Sequence, residues 1–150
     1  MSTQASETRL TAQTAPPTSR PARGRFVWHE LLTTDLAAAQ DFYTRVVGWT
    51  PSKWDGAGAA ADYTLWMAGE APVGGLMKQP EEAAKMGAPP SWLAYVEVPD
   101  VDAAISEATT LGASVLAPAM EVGGVGRFAV LRDPQGAVFA VIRSAKPMPR

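Results

Sequence analysis

Residues 26–35 read FVWHELLTTD and set the chain's one histidine, His29, beside Glu30. An imidazole and a carboxylate side by side suggest two chemistries, ligation of a divalent metal and proton transfer. A strand sends successive side chains to opposite faces, so in an extended segment these two cannot serve one site together. Trp28, Glu30 and Leu32 then share one face, and Val27, His29 and Leu31 share the other, the face suited to pack under a helix. Slipping the strand by one residue would turn that whole apolar set inside out. His29 is therefore read as structural. Glu30, flanked by Trp28 and Leu32, becomes the candidate for chemistry.

The elements that would position these residues occur twice. SWLAYVEVPD (91–100) repeats the first strand and puts Leu93, Tyr95 and Glu97 on its corresponding face. Thr34 or Asp35 is a natural N-cap for the first helix and Asp100 for the second, and matching Asp35 to Asp100 fixes an offset of 100 − 35 = 65 residues between the copies. Apolar stripes follow each cap, from Leu36 to Val47 before Gly48 and from Val101 to Leu111 before Gly112. Three extended stretches follow each helix. DPQG (133–136) is a type I turn joining the last two of them. The chain reads as an α+β fold of two tandem βαβββ modules, 25–77 and 91–144. A Pro- and charge-rich linker, 78–90, joins them, and tails 1–24 and 145–150 flank them. The first tail is rich in Ser, Thr, Ala and Pro and is expected to be disordered.

Composition excludes several function classes. The net charge of -2, without a basic cluster, gives no footprint for nucleic acid. No apolar run approaches the roughly 18 residues that span a bilayer. With no cysteine and one histidine, thiolate and multi-imidazole metal sites cannot form within the chain. The first tail has no apolar core of a secretory signal, so a cytoplasmic protein is expected. GGVG (123–126) lacks the strand–loop–helix order of a phosphate loop and is read as a flexible turn.

The "D(L/V)xAAxxFY…GW" pattern of the first module and GRFAVLRDPQGAVFAVI (126–142) resemble the vicinal oxygen chelate superfamily over residues 25–144. That superfamily includes glyoxalase I, bleomycin-resistance proteins and extradiol dioxygenases. The resemblance implies a cup-shaped, barrel-like sheet with helices outside, a metal or organic ligand inside, and a homodimer. It also places the usual metal ligands on Trp28, Leu93, Ala140 and a position near Gly75 or Leu76. None of these side chains binds a divalent ion, so no cofactor is expected; were a metal bound, His29 and Glu30 would have to hold it.

The candidate ligand-binding residues are Trp28, Glu30, Leu32, Leu93, Tyr95, Glu97 and Arg127, with Glu30 also the candidate catalytic base. The alternative for the carboxylates is purely structural, satisfied by arginine or by backbone N–H. The expected function is glyoxalase- or bleomycin-resistance-like binding of a small organic molecule without the family metal. The alternatives are a lyase or isomerase using Glu30 as general base and, third, a metal-dependent glyoxalase or dioxygenase. The expected partners are a small molecule and a second copy of the chain, not nucleic acid or membrane.

Overall fold

A computed structural model describes residues 23–56 and 63–146. Most of both expected tails lies outside the described residues. The first module runs β1 (Phe26–Thr33), α1 (Leu36–Val47), β2 (Thr50–Lys53), β3 (Thr64–Ala68) and β4 (Ala71–Lys78). The second runs β5 (Ser91–Glu97), α3 (Val101–Thr110), β6 (Ser114–Val122), β7 (Gly126–Arg132) and β8 (Val138–Ser144). Between them the Pro- and charge-rich linker contains a short helix, α2 (Glu81–Lys85). Pro80 precedes it, Glu81 and Glu82 occupy its first turn and Lys85 its last, the charge order that the helix dipole favours.

The long helices start and stop for identifiable reasons. The Asp35 and Asp100 carboxylates accept from the backbone N–H of Ala38 and Ala103, each at 3.0 Å, satisfying donors that the first turn leaves unpaired. Gly48 ends α1 in the left-handed conformation, at φ 80°.

The eight strands form one sheet in the order β2-β3-β4-β1-β5-β8-β7-β6. Each module contributes four neighbouring strands, and the modules join where β1 pairs antiparallel with β5. This junction lies within the one chain. The sheet is curled but not closed, and β2 and β6 are its edges.

Both helices pack on the outer face. Leu31, Trp66 and Leu76 are buried there with Leu36, Ala39 and Tyr43 of α1 and Trp49 just after it. Val101, Ala129, Leu131 and Val141 form the equivalent layer with Ala104, Ile105 and Ala108 of α3. The inner face buries Leu93, Tyr95, Ala140 and Ile142, against which Trp28, Leu32 and Phe128 pack. Alternation along each strand thus divides the core into two outer clusters and one inner cluster.

Candidate functional site

Glu30 lies at the middle of the inner face. It sits opposite Leu93 of β5 on one side and Gly75 of β4 on the other, while Tyr95 pairs with Ala140 of β8. Only 5% of Glu30 is exposed, yet both carboxylate oxygens have partners. The Tyr63 hydroxyl donates to Oε2 at 2.8 Å and the Tyr95 hydroxyl to Oε1 at 3.2 Å. The Trp28 indole N–H in turn donates to the Tyr63 oxygen at 2.9 Å. Trp54 packs edge-on against Tyr63, as Phe128 does against Tyr95. The result is a chain of hydrogen bonds, Trp28–Tyr63–Glu30–Tyr95, inside aromatic and aliphatic walls.

The local sequence explains this placement. In β3, Trp66 points outward beneath α1, so Tyr63, three residues earlier, falls on the inner face. Tyr63 reaches Glu30 by crossing Gly75. A Cβ at Gly75 would collide with the Tyr63 hydroxyl, so glycine is what allows the phenol to lie there.

Burial pushes the Glu30 carboxyl above its ordinary value, and the bonds from Tyr63 and Tyr95 pull it partly back. The same burial, with the Glu30 charge beside them, raises both phenols, so Tyr63 and Tyr95 stay protonated donors. An acceptor-only carboxylate held by two neutral donors can take a proton or bind a donor group. Among the described residues no cationic side chain is paired with it.

The other candidate residues are placed as follows. Leu32 and Leu93 line the inner face with Trp28 and Tyr95. Glu97 lies at the end of β5, outside the hydrogen-bond chain, where it accepts from the Ser144 backbone N–H at 3.0 Å and from the Ser144 hydroxyl. Arg127 is not brought to the cup. It alternates with Ala129 and Leu131 on the outer face, where it binds Asp102 of α3 through two bonds of 2.9 and 2.8 Å and approaches Glu121. That pairing lowers the Asp102 carboxyl and raises the Arg127 guanidinium from their ordinary values.

His29 also sits off the cup. It is exposed and stacks on Phe26 with centroids 6.2 Å apart, rather than packing under α1 as Leu31 does. A β-bulge between Phe26 and Trp28 breaks the alternation there, and Val27 joins the inner cluster instead of His29's side.

Tyr63 is the site residue that sequence reasoning missed. Its partner is 33 positions away, and a tyrosine in an extended stretch carries no local mark of its role. Two signals existed. The phase of the alternation set by Trp66 was one, and the Gly74–Gly75 pair, a sign of close backbone approach, was the other.

The residues do not suit the metal that the fold implies. Leu93 and Gly75 flank Glu30 in register, Trp28 lies two residues before it in β1 and Ala140 pairs with Tyr95, and none of the four can donate to a divalent ion. Among the described residues, no group of three or more His, Cys, Asp or Glu side chains is placed to hold one.

Fold and register together define a vicinal oxygen chelate protein, two βαβββ modules around a shared cup. Within that class the chain belongs to the glyoxalase-like domain family, which matches residues 25–142. It is 43% identical over 122 residues to the "Putative glyoxylase CFP32" of Mycobacterium tuberculosis, covering 81% of this chain and 45% of that protein. It is 33% identical over 135 residues to the anthracycline biosynthesis protein DnrV of Streptomyces peucetius, covering 83% of this chain and 49% of that one. The chain therefore spans about half the length of the curated relatives it matches. Among solved structures, a variant of homoprotocatechuate 2,3-dioxygenase from B. fuscum superposes with a TM-score of 0.58 at 22% identity, over 90% of this chain and 36% of that one. Methylmalonyl-CoA epimerase from Streptomyces coelicolor gives 0.56 at 18% identity, over 86% of this chain and all of the other. At such identities the structures speak for the fold alone.

Proposed function

We propose that this domain binds a small organic molecule in its cup and does so without the family's metal centre. One observation carries the reading: the positions around Glu30 that would ligate an ion hold Trp28, Leu93, Ala140 and Gly75, while the polar centre is a carboxylate fixed by two phenols. Shape and a few placed polar groups suffice for binding. Trp28, Tyr95 and Phe128 supply flat apolar surface, and Glu30 is the anchor. CFP32 is named as a glyoxylase and DnrV as an anthracycline biosynthesis protein, and both names direct attention to small organic molecules. A cytoplasmic homodimer belongs to the same proposal. The chain has no cysteine and so depends on no disulfide that a reducing compartment would oppose, and among the described residues no helix is long and apolar enough to cross a membrane.

The second reading is a lyase or isomerase with Glu30 as general base. It is favoured by one observation, that burial raises the Glu30 carboxyl above its ordinary value, the direction that a general base near neutrality requires. Substituting Glu30→Gln separates the two. A binder loses about tenfold or more in ligand affinity, the loss expected when a charged hydrogen bond becomes neutral. An enzyme keeps its binding and loses turnover.

Native mass spectrometry of protein purified without chelator tests the metal claim. The expected mass is that of the chain, with or without an organic adduct, and a chelator leaves Tm unchanged. One equivalent of Zn, Ni, Fe or Mn, lost on His29→Ala, would overturn the reading and return His29 and Glu30 to the role of ligands.

A further inference from the structure

The Glu30 carboxylate is buried among neutral partners. Among the described residues the ion pairs join Arg45 to Asp41, Lys85 to Glu81 and Glu82, and Arg127 to Asp102 and Glu121, and none reaches Glu30. Residues 57–62, which precede Tyr63, read AGAAAD and contain no cationic side chain. A buried carboxylate without a counter-ion is costly, and a cation brought by a ligand removes that cost.

The surroundings specify which cation. Three of the four groups in the hydrogen-bond chain are aromatic, and Trp54 and Phe128 back Tyr63 and Tyr95. Apolar aromatic walls around a carboxylate favour a cation carried on an apolar body. An ionised carboxylate offers about four acceptor sites, of which the two phenols use one each. Glu30 and Tyr95 are buried, whereas Trp28 and Tyr63 are only half-buried, so the network runs from the surface inward to the carboxylate. A group with several N–H donors arriving on that side bridges Glu30 Oε2 and the Tyr63 oxygen. The resulting bonds are charge-assisted, where a neutral ligand would make ordinary ones.

We propose that the ligand of this cup carries a protonated amine on an aromatic or alicyclic body, with Glu30 as its counter-ion and the Tyr63 oxygen as a second acceptor. The proposal rests on the reading of the cup as a ligand site and names the chemical class that it takes.

Three probes of one body test it: phenethylamine, phenethyl alcohol and hydrocinnamate, titrated at neutral pH into the full-length protein. The reporter is the Trp28 indole N–H resonance, assigned by its loss in Trp28→Phe. The amine is expected to shift this resonance with an affinity about tenfold or more above the alcohol's, a difference of about 1.4 kcal/mol, and the acid is expected not to shift it. In Glu30→Gln the amine and the alcohol should come to parity. The ligand class is overturned if alcohol or acid binds as tightly as the amine, or if the amine's advantage survives in Glu30→Gln. In those cases the cup remains a binding site for something else. If none of the three moves the Trp28 resonance at millimolar concentration, the cup-binding reading itself falls and takes this inference with it. The wild-type ranking decides the matter even if the Gln variant fails to fold.

Discussion

Glu30 ties its protonation to the stability of the fold. Burial holds its carboxyl above the unfolded-state value, so between those two values the folded protein binds more protons than the unfolded chain. Unfolding free energy contributed by this group is therefore fully present below the ordinary carboxyl range and is lost as pH rises through the folded value. Glu30→Gln abolishes that dependence while the remaining carboxylates are common to both proteins. Urea denaturation of the pair across acid to neutral pH should show the wild type's advantage shrinking as pH rises, with the variant within about 1 kcal/mol of wild type at neutrality. An advantage that instead grows with pH would mean that the two phenols hold Glu30 as a stabilised anion. Tyr63 explains why the residue scale was only half legible. Alternation and cap register were enough to aim Trp28, Glu30, Leu93 and Tyr95 at one face, but which hydroxyl reaches the carboxylate depends on how β3 lies against β4. Arg127 illustrates the opposite difficulty. Its charge suited the cup carboxylates, yet its odd position in β7 put it beside Asp102 on the outer face.

The elements themselves were the most legible part of this chain because their signals are local. Asp35, Asp100 and Gly48 each act within one turn and the apolar stripes within one helix, and α1 and α3 begin directly after Asp35 and Asp100. Replacing Asp35 or Asp100 by Ala should cost about 1 kcal/mol each, and the two losses should add, since the caps serve separate helices. The β-bulge at Phe26/Trp28 had no such local signal, because it is a mismatch between β1 and a strand that begins at Ser91. Gly75 joins the element to the site. Gly75→Ala keeps the strand's hydrogen bonds but drives a methyl group into the Tyr63 hydroxyl. The variant should lose about 1–3 kcal/mol, the cost of leaving a buried polar group unsatisfied, and should also displace the Trp28 indole resonance. A fully stable Gly75→Ala with an unmoved Trp28 signal would show that the Tyr63–Glu30 bond is dispensable.

At the scale of the whole molecule, an open sheet leaves two edges, and both carry features that resist strand addition. β2 is four exposed residues, Thr50–Lys53, with Pro51 lacking an N–H and Lys53 supplying charge. β6 contains Pro118 and pairs with β7 through two register shifts. Association through either edge is therefore opposed. The outer face is different: Phe42 and Val46, one helical turn apart on α1, are 56% and 65% exposed, and Phe26 is 68% exposed. A pair of large exposed apolar side chains one turn apart on a helix is a candidate contact surface. The predicted homodimer should accordingly form through α1, with the sheet edges left free. Light scattering at micromolar concentration should give twice the mass of the 15.8 kDa chain. The double substitution Phe42→Glu with Val46→Glu should return it to the monomer mass, since a charge placed in a desolvated interface core has no partner there. Both positions are exposed in the single chain, so the fold and the Trp28 resonance should survive the change. A wild-type monomer would remove the dimer from the proposal. A dimer that persists in the double variant would place the interface elsewhere and leave the apolar ridge of α1 without a partner.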